Sequence, residues 1–210
     1  MTTVRRIDLS CVVQAGGLSS RMGRDKARMT FCGEPLIERV LGRLAPVAGE
    51  LVVTTSRPSE LAYLEEHAFG GLVPRIVPDL EGSAGAMRGI ASSLAAARLP
   101  LLAIVACDMP FVSPELIGAL ADRFEAEAID VCVPREEQGI EPLCAVWRRD
   151  ACAPVAQELL ACDRQRIRCL INRVQVGYMD EPQIVKAAGS TLCFENVNTP
   201  EEFAAAELLA

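Results

Sequence analysis

Residues 11–36, CVVQAGGLSSRMGRDKARMTFCGEPL, open on an apolar run, break into a glycine- and serine-rich turn, and then set Arg21, Arg24, Lys26 and Arg28 close together. A strand buried on both faces reads as such an unbroken apolar run. The glycines at its end admit backbone angles closed to other residues and let amides approach a ligand. Leu36, Ile37, Val40, Leu41 and Leu44 then recur at three- and four-residue spacing, which predicts a helix over residues 35–46 that lays one side on a sheet. Strand, turn and helix in this order begin a βαβ unit.

The pattern repeats along the chain. Apolar runs of strand length stand at IDLSCVVQ (7–14), ELVVTTS (50–56), PRIVP (74–78), LLAIVAC (101–107), DVCVP (130–134) and LCAVW (143–147). Helical periodicity recurs at 86–97 and 115–126, and two helix starts are marked by a hydroxyl before proline, Ser113-Pro114 and Thr199-Pro200, the latter with Glu202 completing a capping box. The expected fold is α/β: a three-layer α/β/α sandwich around a mostly parallel, Rossmann-like sheet. Residues 1–210 read as one domain, and the polar turn EEQGI at 136–140 is the nearest thing to a boundary.

Composition narrows the functional classes. Half of the residues are hydrophobic but only 4% aromatic, so Ala, Leu, Val and Ile must build the interior. A formal net charge of -7 opposes a general nucleic-acid binder, which normally carries a basic face. The longest apolar run, LPLLAIVAC, is far shorter than the ~20 residues needed to span a bilayer, and the N-terminus lacks the apolar segment of a signal peptide. A cytoplasmic location with no membrane contact is expected. The nine cysteines are odd in number, contain no CxxC pair and sit mostly in apolar segments, as Cys11, Cys107, Cys132 and Cys144 do; they read as reduced core residues. His67 is the only histidine, in a polar stretch that suits a solvated helix end, and no GxSxG elbow is present.

Ligands of parallel sheets gather at the carboxyl ends of the strands. Those positions hold QAGGLSSRMGRDK, TTSR, PDLEG and CDMP. Within residues 21–28 four cations face Asp25 alone, and because salt screens over about 8 Å, a polyphosphate there would feel this cluster more than the distant acidic surface. The loop is neither a Walker A nor a GxGxxG motif, and by itself it could be a tight connection with a solvated charged edge.

The residues 14–36 that carry this loop resemble the signature of the molybdenum cofactor guanylyltransferase family, among the nucleotidyltransferases that activate sugars and cofactors. The likeness continues in PDLEG, GAMRGI, CDMPFVSPELI, EPLCAVW and FENVNTPEEF, over roughly residues 7–205. Gln14 stands where the family usually has Leu, Thr54 where Asn is common, and Ala86-Met87 where Pro-Leu is usual. The resemblance implies a sandwich of the nucleotide-diphospho-sugar transferase type, Mg²⁺ dependence, and transfer of GMP from GTP to the phosphate of molybdopterin with release of pyrophosphate. The partners implied are GTP and molybdopterin, with transient contact with cofactor-synthesis or acceptor proteins. A CTP-using relative, a transferase for another phosphorylated acceptor, and a non-catalytic cofactor-delivery module are the alternatives.

Carried over residue by residue, the resemblance makes Lys26, Arg21 and Asp108 catalytic and Asp108 the metal ligand. Gln14, Ala15, Gly16, Gly17, Lys26, Thr54, Asp79 and Asp108 become the nucleotide site, and Asn196, Asn198 and Arg166 the acceptor site. On their chemistry alone, Asp79 could be a loop aspartate, Asn196 and Asn198 turn-forming amides, and the arginines of CDRQRIRCLINR (162–173) a solvated helix face.

Overall fold

A computed structural model describes residues 9–16, 26–82 and 85–210 of the chain. Its strands are β1 (Leu9–Gln14), β2 (Thr30–Phe31), β3 (Glu34–Pro35), β4 (Glu50–Thr55), β5 (Arg75–Pro78), β6 (Leu101–Ala106), β7 (Val131–Glu136), β8 (Gly139–Ile140), β9 (Cys144–Arg148) and β10 (Val176–Asp180). The helices are α1 (Leu36–Leu44), α2 (Pro58–Leu61), α3 (Ala86–Ala96), α4 (Pro114–Ala126), α5 (Arg149–Ala161), α6 (Ile167–Ile171), α7 (Glu181–Ala188) and α8 (Pro200–Glu207). The main sheet runs β10-β7-β9-β6-β1-β4-β5, with β8 added beside β7. All of its neighbours pair in parallel except around β9 and β8.

Along β1, Leu9, Cys11 and Val13 point to one face and Val12 to the other, all fully buried. The first face packs against Ile37, Val40, Leu41 and Leu44 of α1, Leu116 and Leu120 of α4, and Ile184 of α7. The second receives Met87, Ile90 and Leu94 of α3 with Cys152 and Ala156 of α5. This is the three-layer sandwich expected. Burial pushes the Cys11 thiol up to about 12, and all nine cysteines are free. Ser113 accepts from the Leu116 amide at 3.1 Å, and Thr199 and Glu202 close their capping box, as the hydroxyl-proline pairs predict.

Two details go beyond the sequence. The EEQGI turn folds back as the β7-β8 hairpin and stays within the sheet. β9 runs antiparallel to both neighbours, a direction that an apolar run does not encode.

The chain leaves β1 outward through β4 and β5, then crosses back to place β6 on β1's other side. The order therefore reverses between β1 and β6, the position at which open α/β sheets bind ligands. Their carboxyl ends are locked together, the Cys107 amide donating to the Gln14 carbonyl at 3.1 Å. Among the described residues no helix is long and apolar enough to cross a membrane.

Candidate active site

Three segments far apart in sequence deliver polar side chains to that reversal point. Lys26 opens a 3-10 turn over Lys26–Arg28. Asp108 follows β6, and Asn198 precedes α8. The Lys26 ammonium donates to Asp108 Oδ2 at 2.7 Å and to Asn198 Oδ1 at 2.8 Å. The two charged side chains retain only 12% and 21% exposure, enough desolvation to strengthen the pair relative to a surface one.

A small apolar cluster sets this geometry. Phe31 is fully buried and packs edge-to-face on Phe111 at 5.9 Å and on Phe203 at 5.3 Å, with Leu36 and Val197 completing the group. Each aromatic so buried contributes about 1.5–3 kcal/mol. Phe31 lies just beyond Lys26, Phe111 just beyond Asp108, and Val197 immediately before Asn198, so one cluster pins all three segments. The Val197 amide donates to the Asp108 carbonyl at 3.0 Å. Arg39 and Arg43 of α1 donate to the carbonyls of Pro110 (3.1 Å) and Val112 (2.6 Å), anchoring the loop after β6. Sequence reasoning missed these two arginines; the available signal was their four-residue spacing on a helix already predicted.

Asp108 Oδ1 is buried and has no hydrogen-bond partner among the described residues. An orphaned carboxylate oxygen beside an amide oxygen suits a hard divalent cation that takes one or two protein ligands and fills its remaining positions with water and phosphate. One carboxylate and one amide oxygen are a donor set of the kind that Mg²⁺ shares with water and phosphate.

The other flank of the crevice lies over β1, β4 and β5. Ala15 is held through its amide on the Thr54 carbonyl at 2.8 Å and through its carbonyl by the Thr55 hydroxyl at 3.3 Å. A Cβ on Gly16 would overlap Asp79 Oδ2, so a larger residue there would displace that carboxylate. Asp79, 7% exposed, follows β5 and faces Arg88 at 4.0 Å. Burial raises its pKa, and Arg88 offsets part of that rise. Gln14 lies against α3, and Thr54 is buried beside it.

Asp79→Asn is therefore expected to raise the thermal midpoint at pH 7. Burial penalises the ionised form only in the folded chain, so the raised folded pKa costs stability above the unfolded carboxyl's pKa; well below that pKa, about 3.9, both forms are neutral and the advantage disappears. Melting curves of the two proteins at several pH values check this, and an advantage that persists at low pH contradicts it.

Of the remaining candidates, Gly17 and Arg21 lie outside the described residues. Asn196 Nδ2 donates to the Phe194 carbonyl at 3.0 Å, closing a local turn. Arg166 is exposed at the start of α6, and no described hydrogen bond or ion pair joins it to Lys26, Asp108, Asn196 or Asn198. Its neighbour Gln165 touches Gly85, which places this segment on the α3 side of the crevice. Arg173 is committed to Glu158 through bonds of 3.0 and 2.8 Å.

Comparison with known proteins identifies the family. The MobA-like NTP transferase domain matches residues 11–177. The chain is 34% identical to a probable molybdenum cofactor guanylyltransferase of Pelotomaculum thermopropionicum, over 95% of this chain and 92% of that one. It is 32% identical to the molybdenum cofactor guanylyltransferase of Desulfosudis oleivorans, over 93% of each. Among solved structures, molybdopterin-guanine dinucleotide biosynthesis protein A of Archaeoglobus fulgidus superposes with a TM-score of 0.80 at 26% identity, covering 95% of this chain and 97% of that one.

Proposed function

The chain belongs to the MobA-like NTP transferase family, and from that premise we propose that this nucleotidyltransferase moves GMP from GTP to the phosphate of molybdopterin, releasing pyrophosphate with the help of Mg²⁺. The observation that carries the reading is the Lys26-Asp108-Asn198 cluster at the reversal point between β1 and β6, with an orphaned carboxylate oxygen in it.

The acceptor needs no general base. A phosphate monoester has a second pKa of about 6 and is largely dianionic near neutrality. One of its oxygens forms the new bond to the α-phosphorus of GTP. The bond from that phosphorus to the α,β-bridging oxygen breaks, and pyrophosphate leaves with the electron pair. The chain's task is to position two anions against each other and offset their charge.

Lys26 supplies a cation beside the departing phosphates, and Arg21 would serve the same end. Asp108 and Asn198 would hold Mg²⁺. When bound, the ion supplies Lewis-acid neutralisation of phosphate charge. Ala15, Gly16, Thr54 and Asp79, with Gly17 outside the described residues, would serve the nucleotide's base and ribose, while Asn196, Asn198 and Arg166 would serve the acceptor.

The direct test mixes the protein with molybdopterin, Mg²⁺ and GTP, CTP, ATP or UTP in turn and measures pyrophosphate release. Release is expected with GTP. Release with CTP alone assigns the cytidylyl reaction instead, and binding of GTP without release from any nucleotide assigns a delivery module.

A further inference from the structure

The chain around Asn198 is held more firmly than a helix start requires. A capping box asks the carboxylate three residues into the helix to accept the amide of the capping residue. In α8 the Glu202 carboxylate does this for Thr199 at 3.2 Å, and the same oxygen accepts the Asn198 amide at a shorter 2.6 Å. The closer bond therefore falls on the residue before the cap, the one whose side chain meets Lys26.

Asn198 is exposed, so packing does not choose its side-chain rotamer. The Lys26 ammonium carries only donors, which obliges the Asn198 amide to turn its oxygen toward it. Where that oxygen stands is then set by the backbone. On one side the Val197 amide donates to the Asp108 carbonyl at 3.0 Å, and on the other Glu202 ties the Asn198 amide to α8. The helix is anchored in turn: Phe203 packs on Phe31, and Glu207 Oε1 accepts the Cys32 amide at 2.8 Å, where the chain turns with a φ of +50°. A carboxylate on an anchored helix, making charge-assisted bonds, is a firm support for its neighbour's geometry.

Resting on the guanylyl-transfer reading above, we infer that Glu202 is a positioning residue: through the Asn198 amide it keeps the Asn198 oxygen turned to Lys26 and Asp108, where that reading has the cation held. Its part in the reaction runs through Asn198 alone.

The test compares Glu202→Ala, Glu202→Gln and Thr199→Ala. Mn²⁺, as a probe for the divalent ion, is titrated with protein in excess of GTP and followed by electron paramagnetic resonance, and kcat and the GTP KM come from pyrophosphate release. Glu202→Ala is expected to weaken Mn²⁺ binding and to lower kcat about tenfold each while the GTP KM moves less than about threefold, since one charge-assisted hydrogen bond is lost away from the nucleotide. Glu202→Gln keeps an acceptor oxygen in place and should restore most of both. Thr199→Ala removes the hydroxyl half of the capping box at a comparable cost to α8 but leaves the Asn198 amide its acceptor, so its Mn²⁺ affinity should stay within about twofold of wild type. In an Asn198→Ala background, Glu202→Ala should add almost nothing. Equal losses in Thr199→Ala and Glu202→Ala reduce Glu202 to a helix cap, and a full Glu202→Ala effect without the Asn198 side chain means that it acts elsewhere; either overturns the inference and leaves guanylyl transfer standing. The expected Mn²⁺ pattern in a protein that releases pyrophosphate from no nucleotide supports the positioning role and removes the transfer reading instead.

Discussion

Asp108→Asn is expected to lower guanylyl transfer about 10³-fold, equivalent to about 4 kcal/mol of transition-state stabilisation, in a protein that remains folded. The asparagine oxygen can still accept from Lys26, so the contact made by Oδ2 survives in neutral form. The anionic character of the orphaned Oδ1 does not survive. Steady-state pyrophosphate release measures the first effect and circular dichroism with a melting curve the second. With a chelator present, GTP binding should change little, because the carboxylate's role depends on the cation. Turnover within tenfold of wild type would remove Asp108 from the chemistry altogether.

The parts legible in the sequence were those whose signal is local. Near-continuous burial in β1, β4 and β6 leaves predominantly apolar runs, with Ser10, Thr54 and Thr55 as the buried polar exceptions. β10 carries a weak signal, because VGYMD is a short edge strand of alternating character; a Cβ on its Gly177 would press on Ile129 Cδ1. α5 escaped because Pro154 interrupts its pattern, yet α3 and the sheet hold the helix through Cys152, Ala156 and Leu159. Lys26 and Asp108 stood out as charges at strand exits. Ser93, Arg39 and Arg43 did not, because each acts through a partner 69 to 79 residues away, a pairing that exists only after folding. In the sequence Asn198 reads equally as a turn amide or a site residue, and only folding brings its Oδ1 within 2.8 Å of Lys26.

Lys26→Met separates what this side chain does for the reaction from what it does for the fold. Without a cation beside the leaving pyrophosphate, kcat/KM for guanylyl transfer should fall about 10²–10³-fold, the range seen when one preorganised donor is removed from a developing charge. The same change strands Asp108, whose Oδ2 loses its donor while Oδ1 has none among the described residues, and an unsatisfied, largely buried carboxylate costs about 1–3 kcal/mol. Denaturant unfolding should record that loss. Adding Asp108→Asn to Lys26→Met removes the stranded charge, so the double variant should recover most of the stability while remaining inactive. The cycle thereby yields opposite behaviour in the two readouts from one contact. Stability that falls further in the double variant would mean that the 2.7 Å contact is not a coupled charge pair. Activity returning along with stability would mean that Lys26 only props up the loop and that the phosphates are held by other groups.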